Sequence, residues 1–205
     1  MCFFINTKEI TKKIKKDSNL ILSTDAINYS GETMLNGFSF PETPVIFDID
    51  PEKVVLAEWG LVPEWSKNKE IQKYTLNARI ETLIEKPSFK NSVNKRCLIP
   101  VTNFYEWKWL DEKGKQKQQY HISLKDHDYF FLGGIYSQWV NTSTREIVTT
   151  YSQITTEANP LMAEIHNTKK RMPVILSNQT GKNWLTHRNI LDFSYPNYNP
   201  ELTAF

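Results

Sequence analysis

The sequence predicts an α+β fold: one domain over residues 1–205, with an antiparallel β-barrel-like core and flanking short helices. Three observations lead there. Runs of β-branched and aromatic residues recur at short spacing, each bounded by turn chemistry. The helical signals between them are few and short. At 205 residues and 40% apolar content, the chain fills one core comfortably and two poorly.

Asn6 or Thr7 is placed to cap a helix running to Lys16. Ile10 and Ile14 lie one turn apart on one face and lysines on the other, the pattern of a solvated surface helix. Residues 44–49 and 53–59 are β-branched and flank a Pro-containing turn, so both read as strands. Residues 96–101 and 104–109 follow as strands. Turn chemistry at 111–114 leads into a return strand at 119–124, with Tyr120, Ile122 and Leu124 on one face. Residues 129–136 and 146–155 continue the β pattern. Asn159 and Pro160 mark a helix start, Asn as N-cap and Pro at the first helical position, and that helix ends near His166. A last strand is predicted at 172–176, then a short helix to Trp184.

The net charge of +2 gives no global field that demands nucleic acid, so such a role must rest on local patches. Segment 66–96 is one, with eight Lys or Arg against Glu70, Glu81 and Glu85; a charge run alone usually marks only a solvated face. Two cysteines exclude a disulfide-dense scaffold, and the absence of CxxC and HExxH leaves no metal motif; neither metal nor cofactor is expected. The longest apolar run, near residues 129–136, falls far short of the ~20 residues of a membrane helix. The early lysines at 8, 12, 13, 15 and 16 are followed by no apolar signal core, so a cytoplasmic protein without membrane association is expected.

Cys2 is the most unusual residue. Removal of Met1 would leave a 1,2-aminothiol whose α-amine, with a pKa near ~7.7–8.0, is partly neutral at pH 7. Such an amine condenses with an aldehyde to an imine, and the neighbouring thiol closes onto it as a thiazolidine. The alternative is a chance cysteine at an unstructured terminus. Cys97, in an apolar strand, reads as a buried core thiol.

Glu106 lies among aromatics in Phe104-Tyr105-Glu106-Trp107-Lys108-Trp109. It is either a desolvated proton shuttle or a surface strand glutamate paired with Lys108. His166 is followed by Lys169, Lys170 and Arg171, a compact phosphate site, whereas His121, His127 and His187 have no such context. Trp59 and Trp65 flank a Gly and a Pro and are either base-stacking indoles or core. Asn77 and Arg79 place an amide and a guanidinium in the basic segment, or start a capped helix.

Together these motifs resemble one family. Cys2, Trp-Gly-Leu-Val-Pro-x-Trp at 59–65, Asn-Ala-Arg-x-Glu-Thr at 77–82, Arg-Cys-Leu-Ile-Pro at 96–100, Phe-Tyr-Glu-Trp at 104–107 and Arg-Met-Pro-Val at 171–174 occur in the order of the SOS response-associated peptidase (SRAP) family, the abasic-site processing proteins. The resemblance implies a single barrel-like domain, here expected to be a monomer, that binds single-stranded DNA at abasic sites. It implies a thiazolidine crosslink between the N-terminal cysteine and the ring-opened sugar, with lyase and self-processing peptidase activity beside it. By motif, Cys2 is the crosslinking nucleophile, Asn77 holds sugar and cysteine, Glu106 is the acid–base residue, and His166 assists ring opening. Arg79 and Arg171 are the implied phosphate binders.

Two departures stand out. Phe3 and Phe4 replace the family's Gly-Arg after the cysteine. Four residues, Asn167 to Lys170, separate His166 from Arg171 where the family has one. Either that loop bulges with both ends in place, or Lys169 and Lys170 share the phosphate role. Two other readings compete: a cysteine hydrolase of N-terminal-nucleophile type, and a non-catalytic module for single-stranded nucleic acid.

Overall fold

The structure is a computed structural model that describes residues 2–17, 19–186 and 188–205; Met1 and His187 therefore lie outside the described residues. In chain order the elements are β1 (Phe4–Asn6), α1 (Ile10–Asp17), β2 (Ile21–Leu22), α2 (Thr24–Ile27), β3 (Leu35–Asn36), β4 (Glu42–Phe47), β5 (Asp50–Trp59), β6 (Asn77–Arg79), β7 (Arg96–Val101), β8 (Asn103–Trp109), β9 (Lys117–Leu124), β10 (Phe130–Val140), β11 (Ile147–Glu157), α3 (Pro160–Ile165), β12 (Arg171–Pro173), β13 (Ile175–Leu176), α4 (Asn178–Leu185) and β14 (Leu202–Ala204). The class is α+β, as the strand-rich pattern predicts.

Five strands close the barrel. β5, β4, β7, β10 and β11 pair antiparallel in that order, and β11 meets β5 in parallel. The parallel seam is forced by arithmetic: an odd number of strands that alternate in direction must close on a like-directed pair. The seam is short, with Thr150 opposite Glu58 and Tyr151 opposite Trp59. The chain then leaves the barrel at Gly60, whose φ of +113° suits glycine alone. A side chain there would press on Gln72 and Phe40. It returns as β6 on the same edge of β11, pairing Asn77 with Gln153.

A second, antiparallel sheet runs β14-β9-β8-β1-β3. β8 follows β7 after one residue, so the two sheets share a corner. Trp59 anchors the barrel interior: fully buried, it stacks with Tyr151 at 6.2 Å and donates from its indole to the Leu76 carbonyl at 2.9 Å. The Tyr151 hydroxyl in turn pairs with that of Thr43 at 2.7 Å, so neither polar atom is stranded. Cys97 is a buried free thiol, as its apolar strand predicts.

Several elements differ from the sequence expectation. Asn6 is spent in β1, so α1 begins only at Ile10, with Ile10 and Ile14 buried as expected. Asn77–Arg79 forms a strand and not a capped helix start, because the open edge of β11 takes it up. The stretch 172–176 splits in two around Val174: its carbonyl accepts from Gly133 and its N–H donates to Ile154, so β12 follows β11 and β13 follows β10. The residues from Cys2 onward are held in the sheet. Cys2 leads directly into β1, held between β8 and β3. Asn159 caps α3 through the Met162 N–H with Pro160 at its first turn, as the sequence predicts.

Candidate active site

β1 carries the start of the chain along β8, with Phe4 opposite Tyr105, and so sets Cys2 near Glu106. Cys2 is 1% exposed. Its carbonyl oxygen accepts two side-chain amides: Nδ2 of Asn77 at 3.1 Å, and Nε2 of Gln153. The same Gln153 amide donates to Asn77 Oδ1. The Cys2 thiol points its hydrogen at the Phe4 carbonyl, 3.5 Å away. Burial above all, then the charge of Glu106, pushes its pKa up to about 12. The thiol is therefore protonated at neutral pH.

Glu106 comes from the middle of β8 and is 6% exposed. Its carboxylate faces His166, with Oε1 4.0 Å from Nε2. Lys108, two residues along, pairs instead with Glu164 of α3 at 2.6 Å. Glu106 is thus a buried carboxylate beside a histidine, and the surface pairing with Lys108 does not form. His166 ends α3, and its Nδ1 lies 2.9 Å from the Arg171 carbonyl oxygen and 3.2 Å from the Arg171 nitrogen. Burial lowers the imidazole below its ordinary pKa, while the charge of Glu106 acts the other way.

The four residues after His166 bulge while both ends stay in place. Lys170 N–H returns to the His166 carbonyl at 2.8 Å, closing one turn. Asn167 docks the bulge on β8, accepting from the Trp109 N–H at 3.1 Å and donating to its carbonyl at 2.9 Å, as a neighbouring strand would. Lys169 and Lys170 project outward, exposed. A cleft of about 380 Å³ opens here, lined by Phe3, Phe4, Glu106, Trp107, Trp109 and His166, with Lys117, Thr168 and Lys169 around them. Phe4 meets Trp107 edge-on at 5.0 Å, and Lys117 lies 5.1 Å above the Trp109 ring. Phe3 and Phe4 thus add aromatic surface to this cleft.

The remaining candidates separate. Arg79 is exposed. Arg171 is not: its guanidinium is gripped by Glu81 through two bonds of 2.8 and 2.9 Å, and by the Thr155 carbonyl at 2.8 Å. The expectation of a phosphate-binding Arg171 is corrected accordingly, since an arginine with both terminal nitrogens committed and 7% exposed presents no free fork to a phosphate. It braces His166 instead. Trp59 is likewise corrected, because a core indole cannot stack on a base. Trp65 is 54% exposed but lies outside the cleft lining. Gln153 and Glu81 escaped the sequence reading: Gln153 is one polar residue among several in β11, and Glu81 looked like an ordinary charge in a basic segment. Among the described residues, no group of three or more His, Cys, Asp or Glu is placed to hold a metal ion, and no helix is long and apolar enough to cross a membrane.

The family model for the SOS response associated peptidase (SRAP) matches residues 1–196. The chain belongs to the SRAP family. The abasic site processing protein YoqW of Bacillus subtilis is 43% identical over 146 residues, covering 71% of this chain and 62% of YoqW. The chicken abasic site processing protein HMCES is 32% identical over 164 residues, covering 67% of this chain and 47% of its own. The chain thus spans about three-fifths or less of the length of these relatives. A crystal structure of a Bacteroides thetaiotaomicron protein superposes with a TM-score of 0.89 at 33% identity, covering all of this chain and 91% of the other. Beside this barrel, Asn77 of 77–82 and Glu106 of 104–107 meet at Cys2, and Arg171 of 171–174 backs His166 across from Glu106.

Proposed function

We propose that this SRAP chain binds abasic sites in single-stranded DNA and, once Met1 is removed, captures the ring-opened sugar as a thiazolidine on Cys2. The observation that supports this reading is the clamp on Cys2: Asn77 and Gln153 hold its carbonyl, Glu106 lies near its thiol, and His166 faces Glu106. Neither a chance terminal cysteine nor a binding module calls for such a clamp. A thiolate hydrolase is disfavoured by the thiol itself, because nucleophilic cysteines work by a lowered pKa and this one is raised.

The chemistry balances as follows. The free α-amine adds to the C1′ aldehyde and water leaves, giving an imine. The thiol sulfur then adds to the imine carbon while its proton ends on the nitrogen. Ring closure is thus a net proton transfer from sulfur to nitrogen, and Glu106 is the carboxylate beside the sulfur that can relay it. His166, kept toward its neutral form by burial, serves proton transfer at the sugar. The imine also acidifies the sugar C2′ proton, so β-elimination of the 3′ phosphate, a lyase reaction, is the branch open until the ring closes. Self-cleavage at Met1 is the peptidase role in this scheme, and it exposes the amine. Lys169 and Arg79 supply exposed cations for the strand, and the aromatic cleft beside Glu106 suits an unpaired base.

The test is incubation with a uracil-glycosylase-treated single strand, followed by denaturing electrophoresis and intact-mass analysis. A heat-stable adduct is expected with the abasic strand alone, and only from protein that begins at Cys2. Efficient crosslinking by homogeneous Met1-retaining protein would contradict the mechanism.

The DNA path carries its own prediction. Arg79→Ala should weaken binding to intact and abasic strands alike and lower the salt slope by about 0.7, one phosphate's worth on a single strand. Arg171→Ala should behave differently, losing thermal stability because Glu81 is left without its partner. Salt titrations and melting curves of the two variants separate these effects, and an unchanged slope in Arg79→Ala would place the strand elsewhere.

A further inference from the structure

We infer that Gln153 is a positioning residue for the crosslink, acting through its shared bonds to the Cys2 carbonyl and the Asn77 amide; the inference rests on the reading of Cys2 as the crosslinking residue. Gln153 stands on β11 directly opposite Asn77 of β6 in the parallel register. Both side chains therefore leave the sheet on the same face and at the same level. One side-chain amide nitrogen carries two hydrogens, and Nε2 has two acceptors, the Cys2 oxygen and Asn77 Oδ1. Both hydrogens of that nitrogen thus face acceptors, with the Cys2 thiol close enough to share one of them. At 1% exposure no bulk water replaces these bonds, and a buried amide is tolerated only when they are made.

The consequence for Asn77 is orientational. Its amide has an oxygen and a nitrogen end of almost the same shape, and the Cys2 carbonyl, an acceptor only, admits just the nitrogen end. Gln153 reinforces that choice by donating to Oδ1, so both ends of the Asn77 amide are held in one orientation. Without Gln153 the Asn77 amide keeps only one of the two bonds that orient it and is held less firmly against Cys2.

For Cys2 the effect is rotational. β1 fixes the chain from Phe4 onward, and the two amide donors fix the carbonyl just before it. The Cys2–Phe3 peptide plane and the position of the Cys2 α-carbon are then set, and the buried thiol, turned to the Phe4 carbonyl, sets the rotation about it before any aldehyde arrives. Amine and thiol must reach the same carbon in succession, so a preset direction raises the rate of capture without adding any contact to DNA. Gln153 also touches the thiol's own balance. Burial and the charge of Glu106 raise the Cys2 pKa, and the Gln153 amide pulls it back.

The experiment measures the rate of heat-stable adduct formation against concentration of a glycosylase-treated strand. It compares wild type, Gln153→Leu, and Gln153→Met as a second variant of similar volume should the leucine variant not fold, with melting curves for each. The expected result is a saturating rate about tenfold lower, with the half-saturating DNA concentration unchanged. In an Asn77→Ala background, the added loss from Gln153→Leu should shrink to about threefold or less, because the two residues act as one unit. A wild-type saturating rate in a folded variant overturns the inference. So does a loss confined to the half-saturating concentration, or an undiminished loss in the Asn77→Ala background. Absence of any adduct from wild-type protein beginning at Cys2 overturns the underlying reading of Cys2 and the inference with it, and is recognised by the wild-type lane alone.

Discussion

Cys2→Ala protein is expected to lose the heat-stable adduct completely while still reacting with abasic DNA. Alanine is small, so Met1 removal proceeds and the α-amine is freed. The amine still condenses with the aldehyde, but no sulfur follows to close the ring. The imine then persists as a reversible species and an electron sink. Borohydride should trap it on the DNA, and strand cleavage by β-elimination should rise relative to crosslinking. Little unfolding is expected, because the backbone bonds of β1 and the Cys2 carbonyl contacts with Asn77 and Gln153 do not use the sulfur. Loss of one buried sulfur should cost only about 1 kcal/mol or a little more. A thiolate hydrolase predicts the opposite pattern, with no activity and no borohydride-dependent adduct. One gel decides it: wild type and Cys2→Ala, each with and without reductant, on abasic and intact strands. The same heat-stable adduct from the alanine variant without reductant would remove Cys2 from the chemistry.

How much of this was legible in the sequence follows from the range of the interactions. The barrel strands announce themselves because each is a local run of β-branched and aromatic residues; β7 was readable to the residue at 96–101. The cap of α3 was readable because Asn159 and Pro160 act on their own turn. β1, β6 and the division of β12 from β13 were not, since three-residue strands exist only through partners far along the chain. Among the site residues, Cys2, Asn77, Glu106 and His166 were singled out by motif, and the fold brings Cys2, Asn77 and Glu106 to one place with His166 across from Glu106. Exposure was the illegible property. Arg79 and Arg171 look alike as letters, yet one lies on the surface and the other is locked to Glu81 from ninety residues away. Trp59 and Trp65 share one motif and part in the same way, because Trp59 closes β5 inside the barrel while Trp65 follows the chain out of it. Gln153 carries no local signal, as its partners sit 76 and 151 residues away.

Glu106→Gln should slow adduct formation by about a hundredfold or more at neutral pH while leaving DNA affinity and folding close to wild type. The size follows from the thiol. With a pKa pushed up to about 12, Cys2 holds its proton at pH 7, and ring closure needs a base beside it to take that proton and deliver it to nitrogen. The substitution preserves shape and removes only the carboxylate. Its value lies in the sign of the effect. The charge of Glu106 raises the Cys2 pKa, so as a mere electrostatic neighbour its removal would release thiolate and quicken the reaction. A proton relay predicts the reverse, a slower reaction despite a more acidic thiol. The imidazole supplies an independent check. Glu106 favours the protonated form of His166 against the pull of burial, so in Glu106→Gln the His166 titration should move to lower pH, readable from its ring-proton NMR shifts. A downward move of His166 with a faster reaction would make Glu106 an electrostatic neighbour only. A variant that no longer folds would make it structural. A downward move with a slower reaction and unchanged affinity makes it the residue that carries the proton from sulfur to nitrogen.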